Sequence, residues 1–146
     1  LFTLNITPSW SQEGRNVAEY NLVEGVGLKG YDPVSYFPEG GLTSKGVESF
    51  GTDYRRVTYF FASEENREIF LQNPEKYEPT YGGYCAWAMA LGNRVDILPH
   101  LYTISGNRIH FFVSPRAKRN FDRDIPKYEA QADENWFQMT GEKPRL

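Results

Sequence analysis

The stretch Asn73-Pro-Glu-Lys-Tyr-Glu-Pro-Thr-Tyr-Gly-Gly-Tyr-Cys-Ala-Trp-Ala-Met-Ala-Leu-Gly92 organises the chain. It holds Cys85, the only cysteine, and the Gly82-Gly83 pair that leads into a run of helical character. Tyr77, Tyr81, Tyr84 and Trp87 surround that cysteine in sequence. Glycine lets the backbone turn tightly, so bulky rings can pack close to it. The rest of the fold is expected to be built around this turn, with Gly82 and Gly83 buried near the centre.

Upstream of it, Ser63 reads as an N-cap, with Glu64 and Glu65 in the first turn where the helix dipole favours acid. That predicts a helix ending near Gln72 that buries Ile69 and Phe70. Pro74 and Pro79 divide the next residues into short turns. A second helix is expected from Tyr84 to Leu91, closed by Gly92. Further upstream, Lys45 to Phe50 and Arg55 to Ala62 read as strands joined through Gly51-Thr52-Asp53. The second is rich in β-formers. Lys29 to Pro33 reads as a turn and Val34 to Phe37 as a short strand. Val17 to Val26 can pair as another.

Downstream, Leu101 to Ile104 and Arg108 to Val113 form a hairpin across Ser105-Gly106-Asn107. Ser114 caps a helix with Pro115 at its first position, and Pro126 interrupts it. Asp124 caps a last helix in which Ile125, Tyr128, Ala132 and Trp136 share a face. The tail from Thr140 is expected to fray. No internal repeat and no low-complexity segment stands out.

The chain has 146 residues, the usual size for one domain with one core. Aromatic residues make up 16% of it, which excludes a disordered reading. The formal net charge of −3 argues against a general nucleic-acid footprint, which needs a basic face. Arg116, Lys118, Arg119 and Arg123 are interleaved with Asp122 and Asp124 and read as a solvated helix face. A lone cysteine forms no internal disulfide and says nothing of the compartment. No run approaches the ~20 apolar residues that span a bilayer. Leu1 in place of Met implies an upstream segment, either a removed signal peptide or a trimmed chain. Asn5-Ile6-Thr7 is a glycosylation sequon followed by Pro8.

Three segments fit together in order: Gly30-Tyr-Asp-Pro-Val-Ser-Tyr-Phe37, then Tyr59-Phe-Phe-Ala-Ser-Glu-Glu-Asn-Arg67 with Asn73-Pro-Glu-Lys-Tyr77, then Tyr81-Gly-Gly-Tyr-Cys-Ala86. Together they resemble the YHS-domain family, and in particular a secreted, bacterial-type branch that carries the Tyr-Gly-Gly-Tyr-Cys-Ala box. The resemblance runs from about residue 24 to Trp136. It implies a small sheet-and-helix unit, export to the periplasm or beyond, and in metal-handling relatives cysteines that bind soft metals. This chain departs at two of those positions. Ser35 follows the Asp32-Pro33-Val34 turn, and Ala62 stands where a Phe-Cys-Ser segment would place its cysteine. Those ligands do not carry over, and Cys85 remains.

Cys85 has two readings: a thiolate ligand or reactive thiol, which a helix start favours, or a small buried hydrophobe. His100 and His110, on either side of the hairpin, can complete a thiolate and imidazole set suited to copper or zinc. Met89, four residues after Cys85, can share its helix face. Tyr31, Tyr36, Tyr59, Tyr81 and Tyr84 can line a polar-aromatic pocket or simply pack, and Asp32 before Pro33 suits an Asx turn. No nucleophile elbow, phosphate loop or dinucleotide fingerprint is present.

The expected fold is therefore α+β, a small antiparallel sheet with several packed helices in a single domain. Residues 1–23 are expected to be an N-terminal arm, 24–138 the YHS-like domain and 139–146 a C-terminal tail. The first functional expectation is a non-enzymatic soft-metal protein, with Cys85 as anchor, His100 and His110 as helpers, and copper as the metal (alternatively zinc). The alternative is a small-ligand or protein-interaction module with a structural Cys85, no cofactor, and Tyr31, Asp32, Tyr36, Tyr81 and Tyr84 at its recognition surface.

Overall fold

Val57, Tyr59 and Phe61 alternate with Thr58 and Phe60, and the alternation turns the first three into the core. A computed structural model describes residues 15–146. The sequon Asn5-Ile6-Thr7 and the first 14 residues of the expected arm lie outside the described residues. Within them the fold is α+β, with two antiparallel hairpins and five helices around one hydrophobic core.

In the first hairpin β1 (Val47–Tyr54) pairs with β2 (Val57–Phe61). The second pairs β3 (Leu98–Ser105) with β4 (Arg108–Phe112). The expected single sheet is thus divided into two separate two-stranded sheets. The helices are α1 (Glu64–Gln72), α2 (Pro74–Tyr77), α3 (Ala86–Ala90), α4 (Pro115–Asp122) and α5 (Ile125–Thr140). Ser63, Ser114 and Asp124 cap three of them, accepting from the N–H of Asn66, Ala117 and Lys127 respectively. Gly141 closes α5 in the left-handed conformation.

Several boundaries differ from expectation, each for a local reason. The first hairpin turns at Arg55-Arg56, both at positive φ, and not at Gly51-Thr52-Asp53. Gly51 to Asp53 continue β1 past a register shift. Val34 to Phe37 is not a strand. The Asp32 carboxylate accepts from the N–H of Val34 and Ser35 and winds Pro33–Tyr36 into a 3₁₀ turn. Val17 to Val26 yields a 3₁₀ turn at Val17–Glu19 and isolated bridges from Val26 to Val23 and to Thr58. The helix after Gly82-Gly83 is confined to α3, because Thr80–Gly83 forms its own 3₁₀ turn. The tail is docked: Glu142 accepts from the Tyr20 hydroxyl at 2.6 Å, and Arg145 donates to the carbonyls of Glu75, Glu78 and Pro79.

The structure also reveals an internal repeat. Val47 pairs with Phe61, and Leu98 with Phe112; Tyr54 pairs with Val57, and Ser105 with Arg108. Each residue of the second hairpin lies 51 positions after its counterpart, and a register shift follows Val47 and Leu98 alike. Val26 bridges Thr58 in parallel, as Pro79 bridges Ile109. Before each hairpin stands a turn with two left-handed residues, Leu28-Lys29 and Tyr81-Gly82. After each hairpin comes a Ser-capped helix with a buried phenylalanine at one position. Phe70 packs on Tyr59, Phe61 and Tyr77 at 5.3, 5.1 and 6.4 Å between ring centroids. Phe121 packs on His110, Phe112 and Tyr128 at 5.0, 5.3 and 6.3 Å. The matching sequence is sparse, chiefly Phe-Phe-x-Ser at Phe60 to Ser63 and Phe111 to Ser114. The offset also changes from 53 at the glycine turns, Gly30 to Gly83, to 51 in the hairpins.

The Gly82-Gly83 turn joins the repeats and is buried, as expected. Gly82 has φ +61, and a Cβ there would lie 2.8 Å from the Trp136 ring and 3.1 Å from Tyr20. Only glycine fits that approach.

Candidate functional site

Cys85 is 0% exposed. Its backbone is fixed by pairing beside Phe111 and by an N–H donated to the Val95 carbonyl. Met89 is equally buried and donates its N–H to the Cys85 carbonyl. His100 is exposed on β3.

His110 is fully buried on β4, stacked on Tyr81 with ring planes 9° apart. Its Nε2 lies 2.6 Å from a Glu129 carboxylate oxygen, and its Nδ1 lies 2.7 Å from the Thr80 hydroxyl. Burial pushes the His110 pKa down, and the hydrogen bond to Glu129 only partly opposes this. The neutral ring has one N–H, and the Glu129 carboxylate can only accept. The proton therefore sits on Nε2, and Nδ1 pairs with the Thr80 hydroxyl, which is shared with the Ile109 carbonyl at 3.1 Å. Both nitrogens are thus occupied. Among the described residues no group of three or more His, Cys, Asp and Glu is placed to hold a metal ion.

The tyrosine set is spread out. Tyr36 is buried against Tyr102 and Phe111 and donates its hydroxyl to the Pro99 carbonyl. Tyr31 is half-buried beneath the Lys45 ammonium, and Tyr84 is also half-buried. Asp32 is fully buried, and its carboxylate accepts from the N–H of Val34, Ser35 and Ala62 and from the Asn66 amide. It ties the first turn to β2 and α1. Tyr81 donates to Asp133 and lines the cavity described next.

That cavity, about 370 Å³, lies beside the turn that joins the repeats. Tyr20, Tyr81 and Trp136 give it an aromatic wall. Five cations border it: Arg15, Arg55 from the first hairpin turn, Arg108 from the start of β4, and Lys143 and Arg145 from the tail. Glu78 and Glu142 are its acidic residues. Arg15 and Glu78 form a buried bidentate pair at 2.9 and 2.6 Å, and Tyr59 donates its hydroxyl to Glu78. Burial pushes the Glu78 carboxyl up, but the Arg15 guanidinium overrides this and holds it below its ordinary value. Arg108 is held by Asp133 at 2.7 and 3.2 Å. The repeat places Glu78 opposite Tyr59 as it places Glu129 opposite His110. The Nε atoms of Arg15 and Arg108 are buried with no hydrogen-bond partner among the described residues.

Of the candidate site residues read from the sequence, only Tyr81 lines this cavity, although Glu78 to Gly82 of the organising stretch do so as well. Its cations come from positions 15, 55, 108, 143 and 145, and no local pattern links them. The basic cluster that does stand out in sequence lies on α4, where Arg116 and Arg119 are exposed and Lys118 pairs with Asp122. No helix among the described residues is long and apolar enough to cross a membrane. No family model matches the chain, and neither a curated protein nor a solved structure gives a significant match.

Proposed function

We infer that this chain is a non-enzymatic, YHS-like module that binds a small ligand in the cleft beside the turn joining its repeats, with Cys85 as a core residue. The observation that supports this best is the cleft itself, whose 370 Å³ falls in the range of small-molecule sites, about 300–1,000 Å³. It also combines an apolar wall with convergent polar groups, as such sites do. A soft-metal role, with copper or zinc, requires Cys85 to leave the core and His110 to give up Thr80 or Glu129. Leaving a buried polar group without its partner costs about 1–3 kcal/mol.

The test is a screen of neutral and charged small fragments by NMR, run beside a Cu(I) titration and thiol labelling. The expected result is shifts clustered at Tyr20, Tyr81 and the Trp136 indole, slow labelling of Cys85, and the same fragment affinity in Cys85→Ala. One equivalent of Cu(I) bound by the native protein and lost in Cys85→Ser would overturn the reading.

A further inference from the structure

We propose that residues 141–146 form a strap that gates the cleft, hinged at Gly141 and held shut by polar contacts. This rests on the reading of the cleft as a ligand site and adds how that site opens. The first argument is position. Residues 141–145 are five of the fifteen that line the cleft, so a third of its wall lies on this one segment. Lys143 and Pro144 also line a second hollow of about 300 Å³, bounded on α5 by Ala130, Asp133 and Phe137. The strap is therefore a partition, and lifting it joins the two hollows into one groove beside α5.

The second argument is how the strap is held. The body of α5 is anchored in the core by Ala132 and Trp136. Past Gly141 no apolar side chain is buried: Pro144 is exposed, and Leu146 is 95% exposed. Closure depends on two polar anchors. Glu142 accepts from the Tyr20 hydroxyl at 2.6 Å and from the Asn16 N–H at 3.3 Å. Arg145 donates to the carbonyls of Glu75, Glu78 and Pro79. Water replaces such contacts at small net cost, and segments that bury little apolar surface are the ones that open locally. The third argument is the hinge. Gly141 has φ +76, and a Cβ there would meet nothing within 4 Å. Backbone conformation at that residue, and not side-chain packing, sets the path of the strap.

The experiment uses the full chain labelled with fluorotryptophan, and water is the probe. The fluorine shift of Trp136 between light and heavy water reads its access to solvent. Relaxation dispersion on the native chain is expected to show the amides of 142–146 and the Trp136 fluorine exchanging at one rate, on the μs–ms scale. Arg145→Ala removes one anchor and keeps the end of α5 intact. Gly141→Val disfavours the left-handed hinge, which Gly141→Asn tolerates. Arg145→Ala and Gly141→Val are expected to enlarge the solvent shift of Trp136, and Gly141→Asn to leave it unchanged. A strap shut nine-tenths of the time weakens apparent binding about tenfold, so fragments that shift Trp136 are expected to bind Gly141→Val about tenfold tighter than the native chain. A Trp136 no more open to water in Arg145→Ala and Gly141→Val than in the native chain would overturn the strap, as would rigid 142–146 amides in the native chain. Fragments that bind at Trp136 with equal affinity in the native chain and Gly141→Val overturn the gate and leave the ligand site standing. If no fragment shifts Trp136 in any of these proteins, the ligand reading falls, and access of water to Trp136 decides the strap by itself.

Discussion

Asp32 and Cys85 occupy matching places in the two repeats, each following the tyrosine of a Gly-Tyr pair, and they do different work. Asp32 satisfies four donors from three elements, whereas Cys85 makes no side-chain cap and fills apolar space. Asp32→Ala leaves those donors buried without an acceptor. It is expected to cost about 3–4 kcal/mol, read as a lower urea midpoint at constant m-value. A loss under about 1 kcal/mol would mean that water replaces the carboxylate at little cost. Part of this was legible. Asp-Pro marks a turn, and the buried glycine pair follows from its composition. The Ala62 and Asn66 contacts were not legible, since they come from 30 and 34 positions away and no local pattern encodes them.

At the scale of elements, the His110 contact with Glu129 ties β4 to α5, and its bond to Thr80 ties β4 to the joining turn. The folded ring has a pKa below the ordinary 6.5 because it is buried. As the pH falls below 6.5, the unfolded chain takes up a proton that the folded chain resists, so stability declines. The contribution is fully present above 6.5 and is lost as the pH falls through the lowered folded value. Glu129, held down chiefly by its bond to His110, and Glu78 add losses below their ordinary 4.5. Urea midpoints measured from pH 8 to pH 4 are expected to slope downward from 6.5, and His110→Gln is expected to flatten the upper part of that slope. An unchanged slope in the variant would show that His110 is not the titrating group. The helices were the most legible elements, because Ser63, Ser114 and Asp124 are caps with a local mechanism. The first hairpin turn was less so, since two arginines hold the left-handed positions that glycine or asparagine usually signals.

For the whole molecule, the question is whether two repeats make two folding units. Their local cores are equivalent, each centred on one phenylalanine, yet the contacts between them are extensive. Tyr36 of the first repeat packs edge-on against Tyr102 and Phe111 of the second. Asn21 donates to the Gly83 carbonyl and to Asp96, and Tyr20 packs against Trp136 at 5.7 Å. Arg15, at the start of the described chain, is held by Glu78 in the linker, while Arg145 near its end reaches back to that same linker. A repeat of about 50 residues also buries a smaller share of its surface than the whole chain, which makes it marginal alone. The two halves are therefore expected to unfold together. Tryptophan fluorescence and far-UV circular dichroism should trace one coincident urea transition, and Gly82→Ala, which forces Trp136 and Tyr20 apart at the joining turn, should shift both probes equally. Separate midpoints for the two probes would instead make the contacts across the joining turn too weak to couple the halves, and the cleft beside that turn would then lose its wall before either half lost its core.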